Sequence, residues 1–154
     1  MKIRLALLNE APMIKALVHE TIKHIYPHYY PEGAVDFFLA HHSIKTIETD
    51  IEQEQVFVIE EAAILGTVTL KGIEICRLFV APDCQGQGHG RALLDFSERM
   101  ISKNSDAIRL DASLPSKRIY LNRGYHEVAS HCLAAKDGDF LCYDVMEKTI
   151  ALHD

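Results

Sequence analysis

Apolar residues in the first third of the chain recur at helical spacing. Residues 2–7 alternate between polar and apolar side chains and predict a short strand. Asn9 follows and is predicted to cap a helix through its side chain, with Pro12 tolerated in the first turn. The stripe that predicts this helix consists of Ile14, Leu17, Val18, Thr21, Ile22 and Ile25.

Helical character continues after a break. The segment IYPHYYPEG, residues 25–33, interrupts the first helix with two prolines and a glycine. The apolar positions that follow predict a second short helix and then a continuation of the helical region: Ala34, Val35, Phe38 and Leu39, followed by Ile44, Ile47 and Ile51. The region before residue 55 is therefore predicted to be mainly helical.

Short β-branched runs replace this pattern from Gln55 onward. QVFVIE, ILGTVTL and IEICRLFV are separated by only a few residues, which is too short for crossover helices. Three adjacent antiparallel strands are therefore predicted.

The second half of the chain alternates helices and strands. Residues 87–102 predict a helix, and residues 107–112 predict a strand that runs parallel to the strand before the helix if the two are adjacent. A short helix near 116–123 and a hairpin around KDGD, residues 136–139, complete the pattern. The apolar face of the longer helix is predicted to hold Ala92, Leu93, Phe96 and Met100.

These elements predict an α/β (α+β) fold in the order β-α-α-β-β-β-α-β-α-β-β, with a mixed, mostly antiparallel central sheet flanked by helices. The chain has 154 residues and 48% hydrophobic content, which predicts one domain over residues 1–154 with a core of its own.

The net charge of -6 argues against broad nucleic-acid binding. The opening MKIRLALLNE lacks the features of a signal peptide, and no run approaches the roughly 20 apolar residues of a membrane span. A cytoplasmic protein is expected.

Cysteines and histidines do not indicate a metal site. The four cysteines, Cys76, Cys84, Cys132 and Cys142, form no CxxC pair and have no metal-type spacing with the nine histidines. Reduced thiols and no bound metal are therefore expected.

A glycine-rich segment carries the candidate chemistry. In LFVAPDCQGQGHGRALL, residues 78–94, a strand ends, and Gly86, Gly88 and Gly90 alternate immediately before a helix. Alternating glycines let backbone N–H groups point into one concavity, and the helix N-terminus adds its dipole. The segment predicts a phosphate site, with a plain tight turn as the alternative. Arg91 and Leu93 stand where the dinucleotide fingerprint GxGxxG needs a small residue, and no Gly-Lys-Ser/Thr of a Walker loop follows.

The same loop resembles the acetyl-CoA loop of the GNAT superfamily of N-acetyltransferases. The family pattern Q/R-x-x-G-x-G/A is met by Gln85, Gly88 and Gly90, and its V-x-P by residues 80–82. The resemblance extends over nearly the whole chain. It implies transfer of the acetyl group of acetyl-CoA to a primary amine by direct attack in a ternary complex. The cofactor-binding residues that it implies are Leu78, Phe79, Val80, Gln85, Gly86, Gln87, Gly88, His89, Gly90 and Arg91.

The roles within this set follow from the resemblance. The amides of Gln87, Gly88, Gly90 and Arg91 would bind the pyrophosphate, and Gln85 would shape the turn. The strand end at residues 78–80 would splay from its neighbour and leave backbone groups for the pantetheine arm. A backbone N–H near its start would stabilise the oxyanion.

A second segment, SKRIYLNRGY at 116–125, resembles the family's A-x-x-x-Y-x-x-x-G-F/Y with Tyr120, Gly124 and Tyr125 in register. The resemblance implies that Tyr120 protonates the departing thiolate, and a ring that merely packs on the sheet is the alternative. Ser113 departs from the family, which often has asparagine there, and is not counted as a site residue.

A base and an acceptor site are less clearly indicated. Glu74 is the candidate base, because some family members use a glutamate on that strand, and a water chain or a merely solvated glutamate are alternatives. The aromatic segment 24–30 falls where the family usually builds the acceptor pocket, so Tyr26, His28, Tyr29 and Tyr30 either line that pocket or pack on the sheet.

Two other functions remain open at this point. One is a non-catalytic module that senses acetyl-CoA, and the other is an acetyltransferase acting on charged tRNA, which would require a basic face. The acceptor itself, a small-molecule or peptide amine, is not specified by the sequence. Homodimers are common in the family, so a homodimer is compatible with the resemblance.

Overall fold

The structure, a computed structural model, describes residues 1–151. The strands are β1 (Lys2–Leu5), β2 (Val56–Glu60), β3 (Ile64–Lys71), β4 (Glu74–Val80), β5 (Ala107–Ala112), β6 (His126–Ala134) and β7 (Phe140–Thr149). The helices are α1 (Ala11–Ile25), α2 (Glu32–His41), α3 (Ile44–Glu52), α4 (His89–Ile101) and α5 (Lys117–Asn122). In the described part of the chain, no helix is both long and apolar enough to cross a bilayer.

All strands join one sheet in the order β1-β2-β3-β4-β5-β7-β6. Neighbouring strands are antiparallel except for β4 and β5, which are parallel and connected through α4. The predicted mixed, mostly antiparallel sheet flanked by helices is confirmed, including the parallel pair and the final hairpin.

The core lies on both faces of this sheet. Helices α1 to α3 cover one face through buried residues such as Ile14, Val18 and Ile47. Helices α4 and α5 cover the other face, where Leu93 packs with Ile108 of β5. Each layer buries large apolar side chains, and this burial provides the main driving force for folding.

The N-terminal region corrects two local predictions. Strand β1 ends at Leu5, and Asn9 does not cap α1, because it lies inside a 3-10 turn that precedes the helix. The Glu10 carboxylate, not the Asn9 side chain, accepts a backbone hydrogen bond in this turn. It accepts a hydrogen bond of 2.8 Å from the Leu7 amide and pairs with Arg4 at 2.7 Å.

Three helices, not two, separate β1 from β2. The Ser43 hydroxyl accepts a hydrogen bond from the Thr46 amide and caps a new helix, α3, just after α2 ends. The third apolar series therefore forms its own helix because a capping residue interrupts the preceding one.

The buried face of α4 is also rotated relative to the prediction. Leu93 is buried as expected, but Ala92, Phe96 and Met100 are only partly buried. The stripe that faces the sheet is His89, Leu93, Leu94, Ser97 and Ile101. Ser97 can occupy this stripe because its hydroxyl donates a hydrogen bond of 2.7 Å to the Leu93 carbonyl.

A disulfide corrects the expectation of four reduced thiols. Cys132 of β6 and Cys142 of β7 lie directly opposite each other, with their Cα atoms 4.2 Å apart, and are bonded. Cys76 and Cys84 are free thiols. Sequence motifs do not predict this pair, because hairpin register, not a short sequence spacing, brings the two sulfurs together.

Strand β4 contains a β-bulge. Thr67 of β3 pairs with Phe79 and Thr69 pairs with Cys76, so Arg77 and Leu78 both lie opposite the single residue Val68. Arg77 has a φ of 41°, which lies in the left-handed region. This conformation costs a residue with a Cβ about 1–2 kcal/mol, so surrounding contacts must stabilise it.

The tip of the β6–β7 hairpin docks on α2 at Gly33. The Gly33 amide donates a hydrogen bond of 2.9 Å to the Asp139 carboxylate. A Cβ at Gly33 would lie 2.5 Å from the Lys136 carbonyl oxygen and 2.7 Å from Asp139 Oδ2. Glycine is therefore needed here for the close approach of two elements.

We expect Gly33→Ala to destabilise the protein by about 1–3 kcal/mol, because the added methyl group must push the hairpin from α2. The sign is diagnostic, since glycine to alanine in an ordinary helix interior stabilises by up to about 1 kcal/mol. Urea unfolding measures the difference, with the exposed neighbour Glu32→Ala as the control. A Gly33→Ala protein as stable as the wild type would contradict this account of the contact.

Candidate functional site

Strands β4 and β5 part to form a cleft. Their pairing covers Glu74 with Arg109 and Ile75 with Leu110, and no further pair follows toward the end of β4. The cleft that opens beyond this point has a volume of about 810 Å³. One wall is the end of β4 with the loop that follows, and another is formed by residues between 113 and 123. Helix α1 contributes Thr21 and Ile25, and the turn after it contributes Tyr26.

The glycine loop forms one wall of this cleft and leads into α4. Gly86 and Gly88 have φ values of 75° and 90°, and Gly88 is the N-cap residue of the helix. A Cβ built at either position would meet nothing within 4 Å. The two glycines are therefore required for their left-handed backbone, and the space above them stays open for a ligand.

Side chains hold this loop against the end of β4. Gln85 Nε2 donates a hydrogen bond of 3.0 Å to the Val80 carbonyl. Thr21 of α1 donates to the Leu17 carbonyl at 2.8 Å and lies 3.4 Å from the same Val80 oxygen. The strand end is thus fixed both from the loop and from α1.

No described residue that lines the cleft has a negative side chain, although the protein is acidic overall. Among the described residues that line it, Arg91 and Arg123 are cationic and none is Asp or Glu. Arg123 is already paired with Glu98, whose carboxylate accepts a hydrogen bond of 2.9 Å from the Arg123 Nε. Arg91 is exposed, and the described residues give it no hydrogen bond or ion pair. Together with the helix N-terminus, this arrangement suits an anion.

The structure brings most of the predicted cofactor residues to the cleft. Gln87 is the exception, since it is exposed and its Nε2 lies 3.5 Å from the Asp83 carbonyl oxygen. His89 has a buried side chain whose Nδ1 lies 3.2 Å from Met1 Sδ. The predicted residues that line the cleft are Leu78, Phe79, Val80, Gln85, Gly86, Gly88, His89, Gly90 and Arg91.

The two predicted catalytic residues lie in different places. Tyr120 lines the cleft and is buried, and this burial raises the pKa of its phenol, so the hydroxyl keeps its proton at neutral pH. Glu74 is not part of the lining. It is the exposed first residue of β4, four residues before Leu78, which corresponds to about 13 Å along a strand.

The aromatic segment before α2 is divided between the cleft lining and the core. Tyr26 and Tyr29 line the cleft, whereas His28 is exposed and does not. Tyr26 also packs edge-on against Phe38, with the ring centroids 4.7 Å apart. Tyr30 is buried and its hydroxyl accepts a hydrogen bond of 2.7 Å from the Leu114 amide.

Several lining residues are not among the site residues predicted from the sequence. Cys84 lies within the loop, and Ser113 follows directly after β5. Asn122 and Arg123 stand at the end of α5. The Tyr120 segment includes these two. They line the cleft because α5 lies next to the place where β4 and β5 part after Ile75, which is called the fork below.

A family model described as an acetyltransferase (GNAT) domain matches residues 25–138. The chain belongs to the GNAT acetyltransferase family. The match includes β4, the glycine loop and Tyr120, and thus the whole cleft apart from Thr21.

Solved structures agree with the GNAT assignment. The chain is similar to a GCN5-related N-acetyltransferase from Rhodopseudomonas palustris, with a TM-score of 0.87, 21% identity and coverage of 97% of this chain and 95% of the other. It is also similar to the PaiA N-acetyltransferase from Thermoplasma acidophilum in complex with coenzyme A, with a TM-score of 0.73, 18% identity and coverage of 96% and 98%. A third is the ribosomal-protein-alanine N-acetyltransferase from Brucella melitensis, with a TM-score of 0.70, 18% identity and coverage of 97% and 100%. At these identities the likeness shows the shared fold. No curated protein matches the chain in sequence.

A buried polar network lies beneath the GNAT cleft, on the face covered by α1 to α3. Arg77 donates hydrogen bonds to Asp50 at 2.9 Å, Thr69 at 3.1 Å and His42 Nδ1 at 3.1 Å. Lys71 pairs with the other Asp50 oxygen at 2.9 Å. Because His42 Nδ1 accepts a hydrogen bond from a guanidinium, the imidazole must be neutral with its proton on Nε2.

Burial lowers the pKa of His42 to about 3, and the charges of Arg77 and of neighbouring His41 and His19 act in the same direction. The unfolded chain binds a proton at His42 near pH 6.5, whereas the folded protein does not. Above pH 6.5 His42 therefore does not lower the free energy of unfolding. As the pH falls from 6.5 toward 3, the unfolded chain takes up the proton and the folded protein loses stability.

We expect His42 to account for about 2 kcal/mol of lost stability when the pH is lowered from 7.5 to 5. His42→Gln should unfold with a visibly smaller pH dependence than the wild type, although it is less stable at pH 7.5. Urea unfolding at a series of pH values measures both slopes, and the exposed His28→Gln is the control. Equal slopes for wild type and His42→Gln would rule out this histidine as the source.

Proposed function

We propose that this GNAT protein is an N-acetyltransferase that moves the acetyl group of acetyl-CoA to a primary amine in a ternary complex. The observation that carries the proposal is the carboxylate-free cleft that begins at the glycine loop and runs along the unpaired end of β4. Such a cleft suits a long ligand with an anionic head and a neutral arm. A homodimer and a cytoplasmic location remain predictions.

The anionic head of the donor would lie on the glycine loop. The amides at residues 87–91 surround the start of α4, where the helix leaves backbone N–H groups without intrahelical partners. These groups would bind the pyrophosphate, with Arg91 beside them. The pantetheine arm would follow the edge of β4 that β5 leaves unpaired.

The reacting carbonyl would then lie beside the end of β4. A backbone N–H near Leu78 or Phe79 would donate a hydrogen bond to the oxyanion that forms when the amine attacks. Donors that are already fixed before the reaction lower the barrier because they need no reorganisation. Gln85 and Thr21 support this fixed geometry through the Val80 carbonyl.

Tyr120 would act as the acid. When the tetrahedral intermediate collapses, the carbon–sulfur bond breaks, the amide forms and the sulfur takes a proton from the Tyr120 hydroxyl. A phenol that stays protonated at neutral pH suits this step.

The amine must lose a proton, and Glu74 is too far from the cleft lining to take it directly. A base acts within hydrogen-bond reach or through a water molecule. Glu74 remains a candidate only as the end of a water chain, and a water chain that leads to bulk solvent is the simpler route.

Support for an amine acceptor comes from relatives that are named as N-acetyltransferases, one of them acting on a ribosomal-protein alanine. A sensor module would bind acetyl-CoA without turnover. A tRNA-directed enzyme would need a basic face, which the net charge of -6 does not favour. The cleft with Tyr120 in its wall favours catalysis over sensing.

We expect acetyl-CoA at about 100 times its dissociation constant to stabilise the protein by roughly 2.7 kcal/mol, while NAD and ATP have little effect. Thermal unfolding with each ligand measures this. Gly88→Ala should weaken the effect, because a Cβ disfavours the backbone that presents the loop amides. Gly72→Ala is the matched control, since Gly72 also has a positive φ, of 61°, but lies in the β3–β4 turn. Stabilisation by NAD or ATP instead would contradict the proposed donor.

We expect Tyr120→Phe to lower kcat by about 10²–10⁴, with the KM for acetyl-CoA nearly unchanged. Release of the CoA thiol in the presence of a panel of primary amines measures both constants. Tyr125→Phe is the matched control, because its ring packs beside Tyr120 while its hydroxyl donates to Glu98 at 3.0 Å outside the cleft lining. An unchanged kcat in Tyr120→Phe would show that the ring only packs, and equal losses in both variants would show that the Tyr120 hydroxyl has no special part in the reaction.

A further inference from the structure

Arg77 occupies a backbone conformation that its residue type disfavours. Its φ of 41° is one of three positive values at non-glycine residues in the described chain, and it is the only one of them that lies in a strand. Glu54 and Asp137, the other two, lie in turns, which is where such values usually occur. A strained residue in the middle of a strand persists only when its surroundings hold it there.

Hydrogen bonds of the Arg77 guanidinium stabilise this backbone conformation. Arg77 is buried, with its side chain 4% exposed, and its three hydrogen bonds reach three different elements: Thr69 on β3, Asp50 on α3 and His42 just after α2. Asp50 is equally buried, and its second oxygen is neutralised by Lys71. The position of Arg77 is thus fixed by charge and geometry from several sides.

The strained residue lies where the cleft begins. Pairing of β4 with β5 ends at Ile75, two residues before Arg77, and the cleft lining of β4 starts at Leu78, one residue after it. A bulge bends a strand and increases its twist, which separates it from a neighbour that does not follow. Arg77 itself does not line the cleft, so any influence on bound ligand must pass through the backbone that follows it.

We propose that Arg77 is a positioning residue for the acetyl-transfer reaction: its buried hydrogen bonds maintain the bulge and thereby aim the backbone N–H of Leu78 or Phe79 at the thioester carbonyl. This inference rests on the proposed function. The alternative is a buried ion pair that supports overall stability without any directed effect on the site.

The carbonyl of acetyl-CoA labelled with carbon-13 reports this hydrogen bond without knowledge of the acceptor amine. A hydrogen bond to a carbonyl oxygen moves the carbon resonance downfield. We expect the resonance to move downfield when the ligand binds to the wild type and to return toward the free value in Arg77→Met. The dissociation constant, measured by calorimetry, should change less than about threefold, because the glycine loop is untouched.

Two further variants separate positioning from stability. Arg77→Gly also loses the network but accepts a positive φ without strain, so it should keep more of the downfield shift than Arg77→Met. Ile47→Ala removes buried apolar volume from α3, three residues before Asp50, without removing any polar group of the network, and it should keep the wild-type resonance. Circular dichroism establishes that each variant is folded at the temperature used.

The outcomes are distinguishable. An unchanged resonance in folded Arg77→Met, or the same change in Ile47→Ala, overturns the positioning role while leaving the proposed donor intact. A wild type that does not bind acetyl-CoA in the calorimeter overturns the proposed function and this inference with it.

Discussion

The parting of β4 from β5 is the constraint on which the rest of the structure depends. Two parallel strands that stayed paired to their ends would leave no space in the middle of the sheet. Here the pairing stops after Ile75, and the cleft opens at that point. Opening a sheet leaves backbone groups without strand partners, and such groups are costly unless water or a ligand satisfies them. The fork is therefore both a structural liability and a preformed set of hydrogen-bonding groups.

Contacts on one face of the sheet and at the end of β4 hold the strand beside the fork. On one face, Arg77 links β4 to α3 through Asp50 and to the residue after α2 through His42. At the end of the strand, the Val80 carbonyl is held from the loop by Gln85. A buried ion pair contributes little net stability, because desolvation offsets much of the attraction. In the positioning role proposed above, the pair would act by fixing the path of the β4 backbone.

Periodicity and turn chemistry predict most of the fold, because they reflect local physics. The α1 stripe, the three antiparallel strands and the hairpin at Gly138 follow directly from spacing and residue type. Ser43 shows where this reasoning falls short, since one capping hydroxyl divides a helical region that looks continuous. The Cys132–Cys142 disulfide and the docking of Gly33 depend on strand register and on contacts between distant segments, and local pattern contains neither.

The residues of the candidate site also fall into two groups, those that local motifs predict and those that only the tertiary fold brings to the cleft. The glycine loop and Tyr120 are local motifs and could be found from the sequence. Arg123 and Ser113 enter the cleft only because α5 and β5 meet the fork. Glu74 shows the reverse, since a plausible residue type on the right strand lies four residues short of the opening. A strand's direction can be predicted from sequence, but the residue at which it leaves its neighbour cannot.

The net negative charge of the protein and the positive groups of the cleft act on an anion at different distances. The chain carries a net charge of -6, so at low ionic strength a polyanion approaching through solvent is repelled until it nears the surface. At physiological ionic strength this repulsion fades beyond a Debye length of about 8 Å. Within that distance Arg91 and the N-terminus of α4 attract it. Dissolved salt therefore affects arrival and residence in opposite directions, easing the approach of a polyphosphate and shortening its stay.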